Sequence, residues 1–129
     1  MPKVTQMTLS LQSKQGVLAH ICSTLAKAGV NITALCAPEV PGRGRVRIMV
    51  GDLPRARQAL QAAKIRFGEE EAVAVTLEDR PGALADAAER LARAKVNIKC
   101  AYATTAGTGG PATVVLTVSN VAKAVSILG

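Results

Sequence analysis

The chain has 129 residues, 49% of them hydrophobic, with one Phe, one Tyr and no Trp, so its core is aliphatic and no apolar run reaches the roughly 20 residues a membrane-spanning helix needs. Its formal net charge of +7 is unevenly placed: residues 1–68 hold ten Lys/Arg against two Asp/Glu, residues 69–129 six against seven, so a nucleic-acid reading has to rest on the first half alone. Cys22, Cys36 and Cys100 are odd in number, far apart and at apolar positions; they read as core thiols of a reducing compartment, and with no signal-peptide core at the N-terminus a cytoplasmic location is expected.

In residues 5–11 apolar Met7, Leu9 and Leu11 alternate with Gln6, Thr8 and Ser10, the period of a strand with one buried face. The turn SKQG leads into a helix with Leu18, Ile21/Cys22 and Leu25 at helical spacing. His20, the only histidine, falls on its solvent side, which argues against a catalytic or metal role. The helix ends near Ala28-Gly29, and Val30-Asn31-Ile32 opens a second strand. PEVPGRG reverses it into a third, which carries Arg43, Arg45 and Arg47. A second helix is expected over 54–63, with Pro54 near its start, and a short fourth strand over 64–67. Glu69-Glu70-Glu71 then marks a boundary too short to be a flexible tether.

The same order recurs. Shifting the sequence by 66 residues aligns GVLAHICSTLAKAGVNITALCA with GALADAAERLARAKVNIKCAYA, ten of 22 positions being identical. Upstream, Met7, Leu9 and Leu11 match Val73, Val75 and Leu77; downstream the offset becomes 68, pairing Val46, Ile48 and Val50 with Val114, Leu116 and Val118. Asp86/Arg90 and Glu89/Arg93 suit a solvated helix face. The reading is α+β: two βαββαβ sandwiches in tandem with antiparallel sheets, module 1 at residues 1–68 and module 2 at 69–129. The second copy lacks its last strand, so residues 72–78 are expected to present an open edge for another segment or a second subunit, which favours a homodimer.

The turn between first strand and first helix is the informative place, because a helix N-terminus offers unpaired N–H groups and partial positive charge to a carboxylate. Gly16 and Gly82 allow close backbone approach there. Asp79 can accept from an ammonium group and Asn97 carries an amide that donates and accepts; Ser13 and Asn31 hold the same places in copy one. Together these are the groups that recognition of a free α-amino acid requires. By contrast, the sequence shows no Ser/His/Asp or Cys/His arrangement, no metal-ligand cluster and no phosphate loop, so neither an enzyme nor a bound cofactor is expected.

The stretch Leu77-Glu78-Asp79-Arg80-Pro81-Gly82-Ala83-Leu84, followed by Ala94-Lys95-Val96-Asn97-Ile98, resembles the ACT domain, a regulatory amino-acid-binding module appended to aspartokinases, phosphoglycerate dehydrogenases and related biosynthetic enzymes. Both halves match, which suggests a stand-alone tandem, although copy one has Ser13-Lys14-Gln15 in place of Asp-Arg-Pro. The resemblance implies two ferredoxin-like sandwiches in tandem, set side by side with an amino acid held where they meet, and regulation of a biosynthetic enzyme. Position by position it nominates Asp79, Gly82, Ala83, Leu84, Asn97 and Ile98, and in copy one Ser13, Gly16, Val17, Leu18, Asn31 and Ile32. The alternative is an RNA-binding or protein-docking βαββαβ module, but RNA-binding sheets of this order stack bases on aromatic side chains and the third strand here has none. Its arginines read more simply as a solvated hairpin or docking surface.

Overall fold

The computed structural model describes residues 3–11, 15–38, 44–105 and 110–129. Along them run β1 (Lys3–Leu11), α1 (Val17–Lys27), β2 (Ile32–Cys36), β3 (Gly44–Val50), α2 (Leu53–Ala62), β4 (Gly68–Leu77), α3 (Ala83–Arg93), β5 (Ile98–Thr105), β6 (Ala112–Val118) and α4 (Val121–Leu128). They divide into two compact units, Gln6–Glu70 and Glu71–Gly129, the latter joined by the first residues of the chain up to Thr5.

Each unit builds an antiparallel sheet in the same register. Met7 pairs with Ile48 between β1 and β3, and Ile32 with Val50 between β2 and β3. At the repeat offsets Val73 pairs with Leu116 between β4 and β6, and Ile98 with Val118 between β5 and β6. Even the register shift recurs, between Ile32 and Ala34 and between Ile98 and Cys100. The duplicated apolar pattern thus fixes a duplicated pairing, since a one-residue slip would turn every core side chain to the opposite face. The first core gathers Met7, Leu9, Ile21, Leu25, Ile48 and Leu60; the second gathers Val73, Val75, Leu91, Val96, Val114 and Leu116.

Several expectations are corrected. No strand forms at 64–67; β4 starts at Gly68 and runs through the three glutamates, while the division between the two compact units falls among them, after Glu70, as expected. Those acids are tolerated in a strand because cations meet them: Arg57 donates to both Glu69 carboxylate oxygens at 2.8 and 2.7 Å, Arg47 Nε to Glu70 at 2.9 Å, and Lys3 lies 3.4 Å from Glu71. The edge of β4 is reached at its start by the first residues of the chain, which belong to the same unit and bring Lys3 beside Glu71. Gln6, placed on the solvent side by the alternation, is fully buried and donates to Glu70 at 2.8 Å. Arg47 is likewise no solvated side chain, Arg45 is exposed, and Arg43 lies outside the described residues. The three cysteines are half-buried thiols rather than core residues. The second strands begin at Ile32 and Ile98 instead of the preceding valines, which are buried as expected.

The helix faces also differ from the expected ones. Ala83, Ala87 and Leu91 form the buried i, i+4, i+8 row of α3, and Ile21 and Leu25 that of α1. Leu18 and Leu84, one residue and so about 100° away, are exposed at 39% and 50%. Arg93 pairs with Glu89 as expected, whereas Arg90 leaves Asp86 and donates to the Ile127 carbonyl on α4.

Two small effects on stability follow. Lys95 holds a left-handed backbone, φ 62°, at the place where copy one has Gly29 at φ 76°. Lys95→Gly is expected to raise unfolding stability by about 0.5 to 1 kcal/mol, measured by urea denaturation, since a side chain disfavours that conformation. The Arg57 hydrogen bonds hold the Glu69 carboxyl below its ordinary pKa. A depressed folded-state pKa gives stability that is complete above the unfolded value and disappears as pH falls through the folded one. Wild type should therefore exceed Glu69→Gln in urea midpoint at neutral pH and converge with it in acid.

Candidate ligand-binding site

The turn from β4 into α3 is set by Gly82, whose φ of 89° and ψ of −12° lie in the left-handed region. Gly16 does the same before α1, with φ 85° and ψ −10°. Neither helix has a side-chain cap, unlike α2 and α4, whose Asp52 and Asn120 side chains accept from Arg55 N and Lys123 N. At α3, Ala83 N donates to the Arg80 carbonyl at 3.3 Å and Asp86 N to Gly82 at 2.9 Å. Among the described residues the N–H groups of Leu84 and Ala85 meet no backbone acceptor, so an uncapped, partly positive helix end faces outward.

Arg80 lies across this end. Its guanidinium bonds Glu78 at 3.0 Å and the Pro81 carbonyl at 3.2 Å and approaches Asp86 at 3.6 Å; a β-carbon on Gly82 would come within 3.7 Å of it. The pairs are half exposed, so they orient Arg80 without contributing much stability. Asp79 joins Glu78, Arg80, Gly110 and Pro111 around a cleft of about 350 Å³. A second cleft of about 360 Å³ opens beside it, between α3, the end of β4 and the end of α4, and is lined by Val75, Leu77, Ala83, Ala87 and Leu128 with Glu78, Arg80, Asp86 and Arg90 at its rim.

Asp79, Gly82, Ala83 and Leu84 are thus brought together. Asn97 and Ile98 are not: they follow α3, whose 11 residues separate Asn97 from Gly82 by about 16 Å along the helix. The Asn97 main chain donates to Ser119 Oγ and accepts from Ser119 N, both at 2.9 Å. Asn31 accepts from Gly51 N at 2.9 Å, the same contact at the repeat offset. Those bonds use backbone atoms and leave the choice of an asparagine side chain unexplained by folding. In copy one Gly16, Val17, Leu18, Asn31 and Ile32 take the corresponding places, while Ser13 lies outside the described residues. The rim residues Glu78, Arg80, Asp86 and Arg90 were missed by sequence reasoning, although three of them are charged where copy one has Gln12, His20 and Thr24.

The family model described as an ACT domain pair matches residues 2–128. The chain belongs to the ACT domain pair family. Among solved structures, protein BT0572 from Bacteroides thetaiotaomicron is 29% identical with a TM-score of 0.89, over 98% of this chain and 87% of that one. The ligand-free regulatory subunit of aspartate kinase from Thermus thermophilus shares the fold at 19% identity and TM-score 0.65, over 95% and 89%. Aspartokinase alpha and beta subunits share it at 15% and 0.61, over 99% and 95%. A comparison with curated proteins gives no match. The ACT pair therefore has the fold of regulatory modules. Among its described residues no helix is long and apolar enough to cross a membrane, and no three His, Cys, Asp or Glu side chains gather as a metal site.

Proposed function

We propose that this ACT pair, with modules at residues 1–68 and 69–129, is a regulatory sensor that binds a free amino acid at the turn between β4 and α3. The observation that carries this is the meeting of both charges in one small place: unbonded N–H groups and Arg80 for a carboxylate, Asp79 and Glu78 for an ammonium. Gly82, Ala83 and Leu84 shape the backbone around it. Because Asn97 and Ile98 stand at the other end of α3, a ligand that also uses the Asn97 amide draws on two modules; this favours a homodimer, with Gly16, Val17, Leu18, Asn31 and Ile32 as the weaker counterpart. The output is control of a biosynthetic enzyme in the cytoplasm, without catalysis by this chain.

Thermal unfolding in the presence of each of the twenty amino acids tests the reading. One of them at 100 times its dissociation constant should stabilise the fold by about 2.7 kcal/mol. No response to any, together with salt-sensitive RNA binding, would favour the RNA-binding alternative.

A further inference from the structure

After its first helix each unit turns in the same way, bond for bond. Gly29 N donates to the Ala26 carbonyl and Lys95 N to that of Ala92, both at 3.0 Å; Val30 N donates to Leu25 and Val96 N to Leu91, both at 2.9 Å. Gly51 N donates to Asn31 and Ser119 N to Asn97, again at 2.9 Å. Asp52 Oδ1 caps α2 through Arg55 N at 3.1 Å, and Asn120 Oδ1 caps α4 through Lys123 N at 3.0 Å. With these bonds matched, the first copy locates neighbours in the second. A β-carbon on Gly29 would lie 3.4 Å from an Arg55 guanidinium nitrogen; the counterparts are Lys95, which carries that β-carbon, and Lys123. Lys95 and Lys123 therefore stand next to each other, beside Asn97.

Both lysines sit where the backbone disfavours them. Lys95 has a left-handed φ of 62° at the place copy one gives to glycine at 76°, a conformation that penalises a side chain. Lys123 lies in the first turn of α4, at the positive end of the helix dipole. Copy one offsets its cation there, because Arg55 is 3.7 Å from Asp52. Copy two replaces that acid by Asn120, which keeps the cap and gives up the charge. Neither Lys95 nor Lys123 forms an ion pair among the described residues. The pair is no spillover of the basic excess either, since residues 69–129 hold six Lys/Arg against seven Asp/Glu. Two like charges set together at two unfavourable positions, with no acid between them, have the character of an anion site.

We propose that Lys95, Lys123 and Asn97 receive the side-chain carboxylate of the bound amino acid, so that the ligand is a dicarboxylic α-amino acid such as glutamate or aspartate. This rests on the reading in which the Asn97 end of a second subunit's module meets the ligand held at the β4–α3 turn, and it names the class of amino acid. Every charged group of the ligand then has a partner. Its α-carboxylate keeps the N–H groups at the start of α3 and its ammonium keeps Asp79 and Glu78. The second carboxylate takes two ammonium groups and an amide donor. Copy one, with no side chain at Gly29 and with Asp52 beside Arg55, does not offer this arrangement.

Equilibrium dialysis of the full chain against labelled L-glutamate, L-aspartate, L-glutamine and L-asparagine tests this, since each amide matches its acid in shape and lacks its charge. The better acid should bind about tenfold or more tighter than its own amide. Lys95→Gly and Lys123→Gln should each lower the affinity for that acid by about tenfold and leave the affinity for the amide unchanged. Glycine holds the same turn in copy one, so Lys95→Gly keeps the fold and its loss of binding is not a loss of structure. Equal binding of acid and amide, or tighter binding of an amino acid with a neutral or cationic side chain, would overturn the side-chain assignment while the amino-acid reading stands. Inorganic phosphate bound as tightly as the acid would make this a site for free anions and overturn the assignment as well. Absence of binding by all twenty amino acids overturns both.

Discussion

Glu70→Ala is expected to lower unfolding stability by about 3 kcal/mol. The Glu70 Oε1 atom accepts from Gln6 Nε2 at 2.8 Å and from Arg47 Nε at 2.9 Å. Gln6 is fully buried and the Arg47 side chain is only 15% exposed, so deleting the carboxylate takes a shared acceptor from two groups that water cannot readily reach. Glu71→Ala is the built-in control. Its partner Lys3 and Glu71 itself are both more than half exposed, and such a pair contributes about 0 to 1 kcal/mol. Urea denaturation of the two variants should separate them clearly; equal losses would mean that the buried cluster adds nothing beyond a surface ion pair.

The second large effect is on binding. Asp79→Ala should remove most of the ligand-induced stabilisation, which for the wild-type chain is about 2.7 kcal/mol at 100 times the dissociation constant. The unliganded stability should stay within about 0.5 kcal/mol, because Asp79 is an exposed turn residue. Asn97→Ala should also lose the response and also keep the fold, since the bonds to Ser119 use the Asn97 main chain. Retention of the full response by Asn97→Ala would confine the site to the β4–α3 turn and its clefts and remove the second module from the ligand's contacts. An unchanged response in Asp79→Ala would refute the turn itself as the place of binding.

Much of the fold was legible because the sequence states it twice. The offsets of 66 and 68 predict not only which strands pair but the pairing of Val73 with Leu116 once Met7 is placed opposite Ile48. What stayed hidden depends on partners distant in sequence. Three consecutive glutamates mark the boundary between the units, but their spacing does not show that they lie in a strand and meet Arg57, Arg47 and Lys3. Gln6 looks solvent-facing until Glu70 is seen to bury it. The candidate site was half legible: local spacing placed Asp79, Gly82, Ala83 and Leu84 on one turn, because they are neighbours in the chain. Asn97 was grouped with them by strand adjacency alone, and a strand that begins where its helix ends starts at the opposite end of the unit. The cleft had a sequence signal, the smaller residues at Val75, Ala83 and Ala87 than at Leu9, Val17 and Ile21, but it acquires meaning only once those positions share one wall.

On the proposed reading the uncapped start of α3 receives the carboxylate of an amino acid. Nitrogen-15 NMR of the full chain during titration with the amino acid that most raises its thermal midpoint tests this directly. Saturable shifts of the Leu84 and Ala85 amide resonances are expected, with the same midpoint as the thermal stabilisation. Saturation of the thermal response with those two amides unmoved would contradict it.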